Sequence, residues 1–274
     1  MTKKEKIQKI LISDANFNIQ NESFCFLPGD RIPHCTAGPG LLGSVQAYLK
    51  TYGKLYYSLL NLFGPVLFSL AFRRAIRDCL DNFSEDHIII NLGSGPQHFH
   101  GRKDIINIDV FAFDEVDIVA DACDLPIEDQ SVDFVINIAM LEHVDNPGAV
   151  INEICRILKP EGEVLAYAPF MQPYHAAPTD YYRWTHQGLK ELFSSFDAIN
   201  VFVGCGPTSG MLYVLEEWLA TLFSFGSRTL HDVWFIKIKI KESHGNYCFR
   251  IFFQIFMYAF AGISDNKFVF FNMS

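Results

Sequence analysis

The chain has no Cys-x-x-Cys pair, no surplus of basic residues, and no internal repeat or low-complexity tract. Each absence closes off a class of protein. Its seven cysteines, at 25, 35, 79, 123, 155, 205 and 248, are odd in number and spread out. That disfavours a disulfide framework or a zinc ribbon and points to free thiols in a reducing, cytoplasmic setting. Cys25, His34 and Cys35 fit no metal-ligand spacing, so no metal is expected. Twenty-two Lys and Arg against 31 Asp and Glu leave a formal net charge of −9. A nucleic-acid binder needs a basic face, so no nucleic-acid partner is expected. Met1 to Lys6 is basic, but no apolar run follows it closely, and a secretory leader is not expected.

Half of the 274 residues are apolar, enough for a sizeable core. Twenty-six are Phe, and they crowd the two regions flanking the middle. Three parts are expected: an N-terminal arm and helical cover over 1–74, a core over 75–204, and a helical cover with a final strand over 205–274. Residues 1–37 show only turn chemistry and read as an irregular arm. Leu55 to Phe72 carries no charge but is broken by Gly64-Pro65. Three readings stay open for it: paired covering helices, an element lying on a membrane surface, or a span.

The core alternates strand and helix, which implies a doubly wound, mostly parallel sheet. Strands are expected at Ile88–Leu92, Asp104–Asp109, Val116–Asp121, Val132–Asn137, Glu163–Pro169 and Ile199–Val203. An amphipathic helix runs from Pro147 to Leu158 and stops at Lys159-Pro160-Glu161-Gly162. A second follows Thr185 through Phe193. The tail adds helices at Met211–Phe225 and Asn246–Gly262, an alternating run at Ile236–Lys241, and a strand at Lys267–Phe271. The first strand runs directly into Gly93-Ser94-Gly95, a turn that lets backbone approach a ligand.

Four segments follow in order: Leu92-Gly93-Ser94-Gly95, Asp121-Ala122-Cys123-Asp124-Leu125-Pro126, Leu141-Glu142-His143-Val144 and Leu158-Lys159-Pro160-Glu161-Gly162. Residues 88–203 thereby resemble the class I S-adenosylmethionine (SAM)-dependent methyltransferases, in the type 11-like branch. The resemblance implies a Rossmann-like seven-stranded sheet and SAM as cofactor. It implies that Gly93, Ser94 and Gly95 approach the amino-acid end and ribose of SAM. Asp109 would accept from the ribose hydroxyls. Asp121 and the Ala122 N–H would meet the adenine, and Asn137 would face either the methionine part or the acceptor. Asn91 stands where the family usually has an acid that positions the ammonium, and Gln97 where it usually has a third glycine. Glu142 and His143 would support the loop after the fourth strand or take part in the chemistry.

A long segment follows the fifth strand, Pro169 to Thr185, dense in chemically able groups. It resembles a subgroup with Pro-Phe-x-x-Pro-x-His-x-x-Pro-x-Asp-Tyr-x-Arg-Trp-Thr, whose members accompany sugar and cell-surface polysaccharide biosynthesis. The segment leaves the carboxyl edge of the sheet, where it overhangs the cofactor. His175 is the candidate base for a hydroxyl nucleophile, with Asp180 orienting it or pairing with Arg183. Tyr174, Tyr181, Arg183 and Trp184 are candidate acceptor contacts, and Arg183 and Trp184 serve equally well as a clamp on the loop. The function expected is O-methylation of a small or glycan-linked acceptor, with peripheral membrane contact through the Phe-rich flanks. The rival is a methyltransferase-like binding module that has lost catalysis, supported by Asn91 and Gln97.

Overall fold

The computed structural model describes residues 1–13, 15–20, 23–27, 70–96, 102–175, 179–204, 207–227, 230 and 271–272. Most of the uncharged stretch from Leu55, the run Ile236–Lys241, the helix expected at Asn246–Gly262, and His34, Cys35 and Gln97 lie outside them.

The first residues are not irregular. A helix, α1 (Lys3–Ile10), opens on a reciprocal cap: Thr2 Oγ1 accepts from the Glu5 N–H at 3.3 Å, and Glu5 Oε2 accepts from the Thr2 N–H at 2.8 Å. Ile7 and Ile10 enter the main core. Lys6 is fully buried between them; its Nζ donates to the His87 carbonyl at 2.6 Å and to Asp104 at 3.0 Å. A hairpin of β1 (Asn18–Gln20) and β2 (Ser23–Cys25) follows. The expectation of an arm without structure is corrected there: the segment docks on the sheet at the starts of its strands.

After α2 (Leu70–Asn82) come β3 (Ile89–Leu92), β4 (Ile106–Asp109), β5 (Ile118–Val119) and β6 (Val132–Ile138). A 3₁₀ turn, Leu141–His143, leads to α3 (Pro147–Ile157), β7 (Leu158–Tyr167), α4 (His186–Leu192), β8 (Ala198–Ile199), α5 (Pro207–Ser224) and β9 (Phe271–Asn272). Asn146 caps α3 with its side chain and Pro147 occupies the first turn, where a missing N–H costs nothing. The Lys159–Gly162 segment is not a free turn. It lies within β7 as an irregularity: Val132 faces Leu158 but Phe134 faces Glu163, and Glu161 sits at φ 64°.

The strands order as β1-β2-β5-β4-β3-β6-β7-β9-β8. The last seven form the Rossmann-like, mostly parallel sheet, with β9 antiparallel between β7 and β8. The hairpin lengthens it by pairing β2 parallel to β5. Side-chain alternation gives each strand two covered faces. Ile88, Ile90 and Leu92 pack with Val150, Ile151, Ile154 and Ile157 of α3. Ile89 packs on the other face with Cys79 and Leu80 of α2. β3 has β4 on one side and β6 on the other, so the chain changes direction of winding there. Ligands of open α/β sheets bind in the crevice outside the strand ends at such a point.

Candidate active site

At the β3/β6 crevice the backbone is set by glycine. Gly93 has φ +71° and Gly95 φ +53°. A Cβ on Gly93 would lie 2.5 Å from Met140 Cγ, so the side chain after β6 lies directly over the turn. The Gly93 and Ser94 N–H groups both donate to the Ile108 carbonyl, at 2.9 and 3.1 Å, tying the turn to β4. The Gly95 N–H donates to Asp109 Oδ2 at 2.7 Å, and the Phe111 N–H to Asp109 Oδ1 at 2.9 Å. Asp109 is thus fixed by backbone on both oxygens.

Asn137, next to last in β6, lies opposite Leu92. Its Nδ2 donates to the Leu92 carbonyl at 3.0 Å, while its Oδ1 is buried and meets no donor. Asn91, expected near the cofactor, is buried in the sheet; its Nδ2 donates to Asn107 Oδ1 at 3.1 Å, and Asn107 donates to the Glu115 carbonyl. Asp121 is exposed after β5 and accepts from the Cys123 N–H at 2.9 Å. Ala122 beside it is half-buried.

A second cluster forms because β6 and β7 are parallel neighbours, so the loops that follow them open on the same edge. The Tyr181 N–H donates to the Glu142 carbonyl at 2.7 Å, and the Tyr182 hydroxyl to the Asp145 carbonyl at 2.9 Å. These bonds pin the long loop after β7 onto the 3₁₀ turn. Arg183 then closes the loop on itself. Its Nε donates to the Gln172 carbonyl at 2.7 Å. One terminal nitrogen serves Asp180 and the Tyr182 carbonyl, at 2.5 and 2.7 Å. The other serves Pro173 and Asp180, at 2.8 and 2.6 Å. All five guanidinium N–H groups are spent, which leaves none for an acceptor. The expected acceptor contact of Arg183 is corrected accordingly: in this arrangement it is a clamp. Asp180 also accepts from the His175 N–H at 2.8 Å. Burial alone would raise its pKa, but Arg183 and that N–H outweigh it and hold the carboxyl at about 2.

The hydrogen-bond inventory fixes the tautomer of His175. Its Nδ1 lies 3.1 Å from the Pro173 carbonyl and 3.3 Å from Arg183, whose nearby nitrogen already spends both hydrogens. Nδ1 therefore carries the proton toward Pro173, and Nε2 faces Glu142 Oε1 at 4.0 Å. Burial lowers the His175 pKa and favours the neutral ring. The His143 ring is oriented in the same way: its Nδ1 donates to the Thr179 carbonyl, and Nε2 lies 3.8 Å from the same Oε1. The two rings meet edge to face at 5.0 Å. Glu142 between them is fully buried, no other described residue donates to its oxygens, and burial pushes its carboxyl up to about 7.

The structure thus brings His175 and Asp180 together with Glu142 and His143, which the motifs left as either loop supports or participants in the chemistry. The signal for the pairing was available: adjacent strands in a parallel sheet deliver their following loops to one edge. Tyr174 and Tyr181 are exposed beside the cluster, at 76% and 52%. Trp184 stacks on Tyr182 at 5.2 Å, and its Nε1 is buried without an acceptor.

The model of the family described as "Methyltransferase domain" matches residues 102–166, from just before β4 nearly to the end of β7. That span carries Asp109, Asp121, Ala122, Asn137, Glu142 and His143. No curated protein matches the chain significantly. Among solved structures, the chain is similar to the [4+2]-cyclase SpnF, at 16% identity over 88% of this chain and 98% of that one, TM-score 0.46. It is similar to phosphoethanolamine N-methyltransferase 2 of Haemonchus contortus, at 16% identity over 84% and 58%, TM-score 0.44. It is also similar to a SAM-dependent methyltransferase of Thermotoga maritima, at 17% identity over 58% and 86%, TM-score 0.42. One of the three is named a cyclase, so likeness at this level carries no reaction; the fold rests on the strand order itself.

Proposed function

We propose that this chain is a SAM-dependent methyltransferase that delivers the methyl group to an oxygen of a small or glycan-linked acceptor. One observation carries the reading: the β3/β6 crevice gathers acceptors matched to SAM. Asn137 Oδ1 is a buried acceptor with no donor, suited to the ammonium. Asp109 is held by backbone at the end of β4, suited to a ribose diol. Asp121 and the Ala122 N–H suit the adenine, and the turn Gly93-Ser94-Gly95 gives close approach. On this reading Asn91 serves the sheet through Asn107, and Asn137 takes the ammonium in place of the family's acid. SAM supplies an electrophilic methyl on a sulfonium. The protein's part is to place an oxygen in line with it.

His175 is the catalytic residue on this reading: neutral, half-buried, with Nε2 able to take a hydroxyl proton. Asp180 is a positioning residue for it. Tyr174 and Tyr181 offer aromatic faces to a sugar ring, and the Trp184 N–H offers a donor to an acceptor oxygen. The polysaccharide association rests on the resemblance of the loop. Peripheral membrane contact is supported by α5, where Met211, Val214, Trp218 and Leu222 are exposed at helical spacing. Gly210 of that helix abuts Met171 of the loop, which links the two. Among the described residues no helix is long and apolar enough to cross a membrane.

Calorimetric titration with SAM, followed by transfer of labelled methyl to hydroxyl-bearing saccharides, tests the proposal. Binding with Asp109→Ala weakened at least tenfold is expected. No heat at millimolar SAM overturns it and leaves a binding module in its place.

A further inference from the structure

Three acceptor groups converge where the loop after β7 meets the 3₁₀ turn. His143 and His175 each spend the Nδ1 proton on a backbone carbonyl, of Thr179 and Pro173, which turns Nε2 toward Glu142. A metal-binding imidazole is held in this way, its other N–H bonded to a carbonyl that fixes tautomer and ring plane. Glu142 is fully buried, and no other described residue donates to either oxygen, a costly state for a carboxylate unless something positive completes it. Arg183 lends its charge from a distance but gives Glu142 no N–H, because its five are committed elsewhere.

We propose that Glu142, His143 and His175 form a binding site for one divalent transition cation. One ligand atom from each lies within 4.8 Å of the others. Donors on a tetrahedral zinc stand about 3.3 Å apart, so binding draws each side chain inward by less than about 1 Å. Two imidazole nitrogens and one carboxylate oxygen suit Zn²⁺, Co²⁺ or Fe²⁺ better than Mg²⁺, which prefers an all-oxygen shell. The set leaves at least one position open to an oxygen ligand, a water or a hydroxyl of an acceptor. The site stands on these three residues and goes beyond the methyl-transfer reading: a bound cation takes the Nε2 lone pair that His175 otherwise offers as base, so the loaded chain activates an acceptor hydroxyl at the cation's open position instead.

The test uses the full chain stripped with chelator and titrated with Co²⁺. One equivalent bound, with visible d–d absorption lacking a strong thiolate charge-transfer band, is expected, and Mg²⁺ binds at least tenfold more weakly. Glu142→Gln and His175→Ala should each weaken Co²⁺ binding at least tenfold while keeping the wild-type circular dichroism. His175 lies in a loop and is half-exposed, so its variant folds even if Glu142→Gln does not. Equal Co²⁺ affinity in wild type and His175→Ala, a thiolate spectrum, or no binding at millimolar Co²⁺ overturns the site and leaves a proton shared by Glu142 with the imidazoles. SAM titration of the same stripped protein reports on methyl transfer separately, so the two readings fail independently.

Discussion

The glycine crevice and the loop cluster sit on the same edge of one sheet, yet they are built from different materials. The crevice is made by backbone: two positive-φ glycines, two N–H groups on Ile108, and two more on Asp109. The cluster is made by side-chain charge: an Arg183–Asp180 pair, two imidazoles and a buried carboxyl. Backbone scaffolding is insensitive to pH and fails by steric insult. Charge scaffolding fails when one partner is removed or a proton is exchanged. The difference predicts how each half breaks.

The largest effect belongs to the cluster. Arg183→Met leaves Asp180, whose side chain is 2% exposed, with only the His175 N–H. Removing one partner of a buried pair costs about 3–5 kcal/mol. Urea unfolding should show that loss, and SAM affinity should hold, since the crevice has no part in it. Arg183→Lys should recover little, because an ammonium cannot reproduce a five-donor fork. A loss below about 1 kcal/mol, the size typical of an exposed pair, means the clamp does not hold the loop.

Glu142 gives the cluster a pH signature. Its folded pKa is raised to about 7 from 4.5, so the folded chain keeps a proton that the unfolded chain releases between those values. Stability therefore falls as pH rises from about 4.5 to about 7, by on the order of 3 kcal/mol. The penalty is complete above that window. In chelator-treated protein, Glu142→Gln should flatten this slope and be the more stable chain at pH 8. A wild-type slope unchanged by the substitution shows that Glu142 is not the group responsible.

What the sequence disclosed follows the same division. The crevice was legible because its parts are local: a strand, a glycine turn, an acid at the next strand's end. The mostly parallel sheet followed from alternation, and its seven strands from the family resemblance. The cluster was only half legible. His175, Asp180 and Arg183 lie in one segment, but Glu142 and His143 join them across more than thirty residues of sequence, and only the β6–β7 neighbourhood brings them together. Whether Arg183 meets an acceptor or its own loop depends on five carbonyl and carboxylate positions that no spacing records. α1 was hidden for another reason. Its cap, Thr2-x-x-Glu5, was in plain view, but the helix is short and buries Lys6 within its apolar face, which breaks the stripe that marks a helix. At Lys159-Pro160-Glu161-Gly162 turn chemistry was read correctly as an interruption, but parallel pairing on both sides absorbs it into β7.

For the crevice, Gly93→Ala is the steric test. The new Cβ meets Met140 Cγ, Sδ and Cβ at 2.5–2.6 Å, and φ +71° disfavours any L side chain. The αL penalty is about 1–2 kcal/mol, and overpacking adds about 1–3 kcal/mol. Thermal or urea unfolding should register about 2–5 kcal/mol, unchanged between pH 5 and 8. Met140→Ala in the same chain should return the packing part and leave the backbone part. A full recovery would show that the turn has no need of glycine itself.

The smallest effect separates binding from scaffold. Asp109→Asn keeps one oxygen for the Gly95 or Phe111 N–H but loses the charge and one acceptor. A charge-assisted hydrogen bond is roughly twice as strong as a neutral one. If Asp109 accepts from a ribose diol, SAM affinity falls by about tenfold, near 1.4 kcal/mol, with Co²⁺ affinity at the cluster unchanged. If its whole role is to brace the turn, Asp109→Asn costs stability and SAM affinity falls only in step with it. Titration against the free nucleoside adenosine resolves the two. It carries the same diol without the amino-acid end, so a tenfold loss for both ligands places the lost contact on the ribose.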